Sequence, residues 1–401
     1  MKPRVHRRGH ALIHLFAVGF LGLALAPQTF SKEKDSGAKW KIKMRELETA
    51  LIEITVDTSS DQKFNSPKYF SRIESASKKL ASLAHDLVQK ETTPPDADPS
   101  LSMFGALFAS ETQRAYKELK RGNRPYARSI LRSVSGYCFA CHTRNSTGPN
   151  FTAGAFDKAA ESLNTLEKAQ LWAATRQFDK ALDGFESIIA DSGMAKTRLL
   201  DWESSVRQGL AIAVRVKNDP ERAMRIVDRV IAAPTAPYFL KEHAVQWKQS
   251  IQVWKEEHPR RPTTEEGLHA EIGRLIAQAQ SMQKFPADKA ADIIYLRASS
   301  VIHELLQAYP AGKHSTEAFL MAGITYEALR DLNILDLHEF YYEACIRRAP
   351  QTEISRNCFH RYEETMYEGF TGSGGTSLPD DVKAKLAELD KLSKTNTQKP
   401  N

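Results

Sequence analysis

Residues 127–142 read ARSILRSVSGYCFACH, and this stretch decides the fold. Leu131, Val134, Cys138 and Cys141 follow one another at steps of three and four, with His142 beside the last. That spacing is one face of an α-helix, so two thiols and an imidazole share a stripe with apolar core residues. Outward from this helix, three earlier segments carry the same period. Trp40, Met44, Leu47, Leu51 and Ile54 predict a helix over about 40–57, and Ile73, Leu80, Leu83 and Leu87 one over about 67–90. Phe104, Phe108, Ala115 and Leu119 predict a third over about 100–120, and the Gly122-Asn123 turn leads into the fourth at about 124–141. Thr92 to Pro99 (TTPPDADP) interrupts the pattern as a Pro/Asp loop. Four amphipathic helices with short joins predict an antiparallel four-helix bundle, and the whole chain reads as all-α.

Cys138-Phe139-Ala140-Cys141-His142 is the C-x-x-C-H pattern of covalent haem attachment. Two thiols at this spacing add across the two vinyl groups of haem, and the next residue, His142, then lies beneath the iron. An imidazole is a strong iron ligand that stays neutral at working pH. A thioredoxin-type site needs a βαβ setting, which the sequence lacks, and a zinc site needs a second ligand pair at matching spacing. The other cysteines, Cys345 and Cys358, are too far away to supply one. They flank a helix break at Arg348-Ala349-Pro350, where a helical hairpin brings such positions within bonding distance. Either a structural disulfide or two buried thiols fits that pattern.

The N-terminus places the chain. Residues 1–10 are basic, 11–26 are apolar apart from His14, and Ala24-Leu25-Ala26 gives the small-x-small pattern of a cleavage site. Residues 1–26 are therefore expected to be an export signal, or a membrane anchor if left uncleaved, with the rest in the periplasm. Four of the seven surplus positive charges lie in that segment, which leaves 52 basic against 49 acidic residues. That balance and the lack of basic runs with interleaved aromatics exclude a nucleic-acid-binding surface. A composition of 41% hydrophobic and 26% charged residues excludes a disordered chain and a multi-span membrane protein.

On the block from Ala127 to His142 and the three helices before it, the chain resembles the class II, or c-prime-like, cytochromes. The resemblance covers roughly residues 38–150 of 401. It implies one covalent haem c in a four-helix bundle, with Cys138 and Cys141 as thioether residues and His142 as proximal ligand. It also implies Met44, on helix one, as a sixth ligand like that of the family's low-spin members. A second resemblance competes. Thr147-Gly148-Pro149-Asn150-Phe151 is similar to the Gly-Pro segment of class I cytochromes, whose downstream methionine points to Met194. His85 and Met103 complete the sixth-ligand candidates, and an open iron is the alternative to all four. Arg128, Arg132 and Arg144 lie near the motif and are candidates for pairing with haem propionates.

Residues 160–395 hold no P-loop, H-E-x-x-H, G-x-S-x-G or dinucleotide-binding glycines, so no enzyme is expected. They carry loosely recurring helix pairs. Ala169, Trp172, Phe178, Ala181 and Phe185 resemble a tetratricopeptide unit. Asn218 to Ala223, Ala298 to Pro310, and Gly323 with Tyr326, Tyr342 and Pro350 repeat parts of it. The Ala181-to-Ala223 offset of 42 departs from the regular repeat of about 34, so the repeats are degenerate. Phe340-Tyr341-Tyr342, Tyr362 and Tyr367 read as inter-helix packing, and Phe370 to Pro379 as a glycine-rich linker before a last helix at about 380–393. The expected function is electron transfer by an exported monohaem cytochrome whose repeats dock a redox partner protein. The alternative is a five-coordinate, gas-binding or haem-sensing scaffold.

Overall fold

Helix signals in the sequence translate into helices along nearly the whole length of the computed structural model, which describes residues 29–88, 100–144, 160–257, 262–285, 288–330 and 337–394, with side chains from residue 39 onward. The expected export signal, the 92–99 loop and the 147–151 segment lie outside the described residues. The chain is all-α. Among the described residues the one β ladder is a two-residue hairpin, Thr371–Gly372 against Gly375–Thr376, inside the stretch expected to be a plain linker. Among them, too, no helix is long and apolar enough to cross a membrane.

The N-terminal part contains α1 (Thr29–Ser59), the short α2 (Asp61–Asn65), a 3-10 turn at Pro67–Tyr69, α3 (Phe70–Asp86), α4 (Ser100–Lys120) and α5 (Arg124–His142). The second helix starts at Phe70 rather than near residue 67 because Pro67 forces the preceding Ser66 into an extended conformation (ψ 126°). Ser60 caps α2 through the Lys63 amide, so the α1–α3 connection is built from local capping bonds. α1 packs on α3 and α5, α3 on α4, and α4 on α5, which closes a ring of four helices. Leu51, Ile54, Leu80, Leu83, Leu131 and Val134 are buried inside it.

The second part begins with α6 (Thr165–Ala174), opened by a reciprocal capping box between Asn164 and Glu167. It continues through α7 (Phe178–Ala190), α8 (Ser192–Thr197) and α9 (Leu199–Ala211), which runs into a π turn at Ile212–Val216. Then come α10 (Pro220–Ala232), α11 (Tyr238–Glu256), α12 (Glu265–Met282), α13 (Asp292–Ala308), α14 (Ser315–Ala328), α15 (Leu337–Arg348), α16 (Glu353–Gly369) and α17 (Asp380–Ser393). Each helix packs mainly on its neighbours in sequence, so the core extends continuously along the array. A disulfide joins Cys345 of α15 to Cys358 of α16 across the Arg348-Ala349-Pro350 break. Of the aromatic side chains read as inter-helix packing, Tyr341, Tyr342 and Tyr362 are buried, whereas Tyr367 is exposed.

Close approach between helices depends on small residues. A Cβ placed on Gly323 of α14 would lie 2.2 Å from the Tyr342 ring of α15. Tyr342 is fully buried and its hydroxyl donates to Glu327 Oε2 at 2.5 Å, so the ring has nowhere to retreat. Overpacking of this kind costs roughly 1–3 kcal/mol and outweighs the helix propensity gained from alanine. Gly323→Ala is therefore expected to lower stability by about 2 kcal/mol, read as an earlier midpoint in urea unfolding at unchanged slope.

The two parts share side chains. Phe104 of α4 with Phe139 and Ala140 of α5 sit in the larger C-terminal core, while Leu171 and Ala174 of α6 sit in the N-terminal one. A buried polar bridge reinforces the seam. Arg215 of the π turn donates to Tyr326 Oη at 2.7 Å, and Ser300 donates to the Arg215 carbonyl at 3.1 Å. The same guanidinium reaches Thr143 Oγ1, directly after His142, at 3.4 Å.

Candidate cofactor site

The last turn of α5 carries Cys138, Cys141 and His142 to the wall of an apolar pocket that is partly open to solvent. α1 contributes Trp40, Met44, Leu47, Glu48 and Leu51 to its lining, α3 Leu80, and α4 Phe104, Gly105 and Phe108. Ala174 and Thr175, at the end of α6, close one side. The apolar lining suits a largely apolar ligand rather than water or an ion. The three residues that the sequence groups on one stripe are thus brought together in the structure.

His142 is held in one tautomer. Its Nδ1 lies 2.6 Å from the Ala174 carbonyl oxygen. A carbonyl can only accept, so Nδ1 carries the proton and the lone pair resides on Nε2. The residue is pinned a second time through its backbone, because Arg176 Nη1 donates to the His142 carbonyl at 2.9 Å. Arg176 itself takes a left-handed conformation (φ 60°) just past α6, which turns its side chain back toward α5. Burial, and secondly the Arg176 charge, hold the His142 pKa down at about 4. The imidazole is therefore neutral at ordinary pH, the form that can ligate a metal.

The thiols behave unlike those of a disulfide oxidoreductase. Cys138 and Cys141 are not bonded to each other. Burial, with the neighbouring Cys141 adding to it, pushes the Cys138 thiol up to about 12. Redox-active C-x-x-C pairs need the opposite, a lowered pKa that exposes a thiolate.

Of the four sixth-ligand candidates, only Met44 lines this cavity. His85 is exposed on α3, and Met103 and Met194 pack against the C-terminal core. The arginines separate likewise. Arg128 is spent on the end of α1: Nε donates to the Thr58 carbonyl at 3.0 Å, Nη2 to the Ser59 carbonyl at 3.3 Å, and Nη1 to Asp61 at 2.9 Å. Arg132 is half exposed and lies 3.8 Å from Glu167. Arg144 is buried, with its guanidinium 3.9 Å from the centroid of Phe104, a cavity residue.

Ala174, Arg176 and Glu48 escaped the sequence reading, the first because it acts through its backbone carbonyl. Arg176 lies in another helical unit, and no local pattern announces its backward turn. Glu48 is a buried carboxylate on the cavity wall, one helical turn from Met44. Its position on the Trp40–Met44 stripe was the available signal. In comparisons with family models, with curated proteins and with solved structures, the chain matches none of them.

Proposed function

We propose that this chain is an exported monohaem c-type cytochrome that transfers electrons. On this reading the four N-terminal helices are a c-prime-like bundle, and the following array is a degenerate tetratricopeptide-like domain that docks a redox partner protein. The observation that carries it is the conjunction at the end of α5: two thiols one helical turn apart, and beside them an imidazole whose tautomer is fixed, all on one apolar cavity. These residues fit haem c. Cys138 and Cys141 would hold it by thioether bonds and His142 Nε2 would ligate its iron. Bound there, haem supplies one-electron chemistry.

The chain's own groups supply the rest. The Ala174 carbonyl raises the basicity of the imidazole and fixes its orientation, as partners of metal-bound histidines generally do. The apolar walls from α1, α3 and α4 offer water no polar partners, which raises the cost of charge change at the site. Met44 is positioned to offer a thioether on the same cavity. The Cys345–Cys358 disulfide suits an oxidising compartment and supports export to the periplasm.

The test is extraction of the purified, exported protein with acidified acetone, followed by its absorption spectrum. The expected result is pigment that stays with the polypeptide and a low-spin spectrum. Colourless protein, or pigment that leaves the chain, overturns the reading. Retained pigment with a high-spin ferrous form that takes up carbon monoxide replaces electron transfer with the gas-binding alternative.

A further inference from the structure

Far along the array, His269 of α12, His314 just before α14 and Glu317 in the first turn of α14 converge. One donor atom from each lies within 4.8 Å of the other two. We propose that these three residues form a second, independent metal site, for a borderline divalent cation of the zinc class, which clamps α12 to α14.

The spacing of the three donors suits a shared ion. Glu317 Oε2 lies 2.8 Å from His269 Nε2 and 3.8 Å from His314 Nδ1. Tetrahedral zinc with ligand bonds of about 2.0–2.1 Å separates its donors by about 3.3 Å, between those two values. His269 Nε2 is buried and, despite its 2.8 Å approach to the carboxylate, makes no hydrogen bond. The two imidazoles stack at 4.0 Å with an interplanar angle of 14°. Both therefore present ring nitrogens on the same side as the carboxylate.

The surroundings hold this arrangement. The His314 backbone amide donates to Glu265 Oε1 at 2.7 Å, and Lys313 pairs with Glu266 at 2.7 Å. The turn before α14 is thus tied to the start of α12 before any ion binds. Two imidazole nitrogens and one carboxylate oxygen favour zinc, copper or nickel over magnesium or calcium, which want more oxygens. With the two histidine side chains about one-fifth exposed, a fourth position is reached by water.

The experiment is calorimetric titration of the purified, exported protein with zinc chloride at neutral pH, together with its melting temperature. His269→Gln and Glu317→Gln are carried in parallel, and magnesium chloride serves as the hard-cation control. The parent is expected to bind one zinc equivalent that each substitution weakens at least 10-fold. Zinc should raise the melting temperature of the parent and not of the variants. Equal zinc binding in parent and both variants would show that the ion sits elsewhere and overturn the proposal. So would binding of magnesium as tight as that of zinc. Because the site is remote from Cys138, Cys141 and His142, either outcome is independent of whether pigment is retained.

Discussion

The Cys138→Ala/Cys141→Ala double variant, exported and purified beside the parent, is expected to carry no covalently held pigment. Two thiols are needed for two thioether bonds, and the other two of the chain's four cysteines, Cys345 and Cys358, are joined in a disulfide. The helices should survive the change. Both side chains are only half-buried on a cavity wall, and shortening each by one sulfur removes little packed surface. Circular dichroism close to that of the parent in the far ultraviolet, with acid–acetone releasing whatever colour remains, is the expected pair of measurements. Pigment that still resists extraction from the double variant would mean that the attachment point is elsewhere.

Met44→Ala is expected to convert the spectrum from low-spin to high-spin and to let the ferrous form bind carbon monoxide. The reduction potential should fall by on the order of 0.1 V or more, within the roughly 0.8 V range that axial ligands span. Thioether sulfur stabilises the reduced iron, so its loss lowers the potential. Part of the change could in principle come from a looser α1, because the methionine also packs against the N-terminal core. Met44→Leu separates the two causes: it restores apolar bulk without sulfur, and should share the high-spin spectrum while recovering stability. An unchanged spectrum in both variants would make Met44 part of the wall and nothing more.

The helical period carried most of the fold. Leu131, Val134 and Cys138 recur at the steps that a buried helix face demands, and α4 and α5 run as their patterns predict. The boundaries of the second helix were less legible, because Ser60 and Pro67 redirect the chain through capping and a proline restriction rather than through hydrophobic spacing. The motif itself could be read from thiol spacing alone. Its surroundings could not. Arg128 is close to Cys138 in sequence yet binds the end of α1, since ten residues of helix separate the two by about 15 Å along the axis. Arg176 is remote in sequence yet touches the His142 backbone, because a left-handed residue past α6 reverses the chain. The metal-like cluster was also hidden in part: His314 and Glu317 stand three residues apart, an ordinary spacing for a helical pair, and only helix packing brings His269 to them.

Ownership of the imidazole is divided. α5 supplies the ring, but the atom that decides where its proton sits belongs to the first helix of the array. The bundle is therefore no interchangeable cassette: grafted onto a different scaffold it would keep both sulfurs and the histidine while forfeiting the oxygen that fixes the tautomer of the ring. Insertions that lengthened or tilted α6 would move the Ala174 carbonyl and so reach the ring at the end of α5 directly.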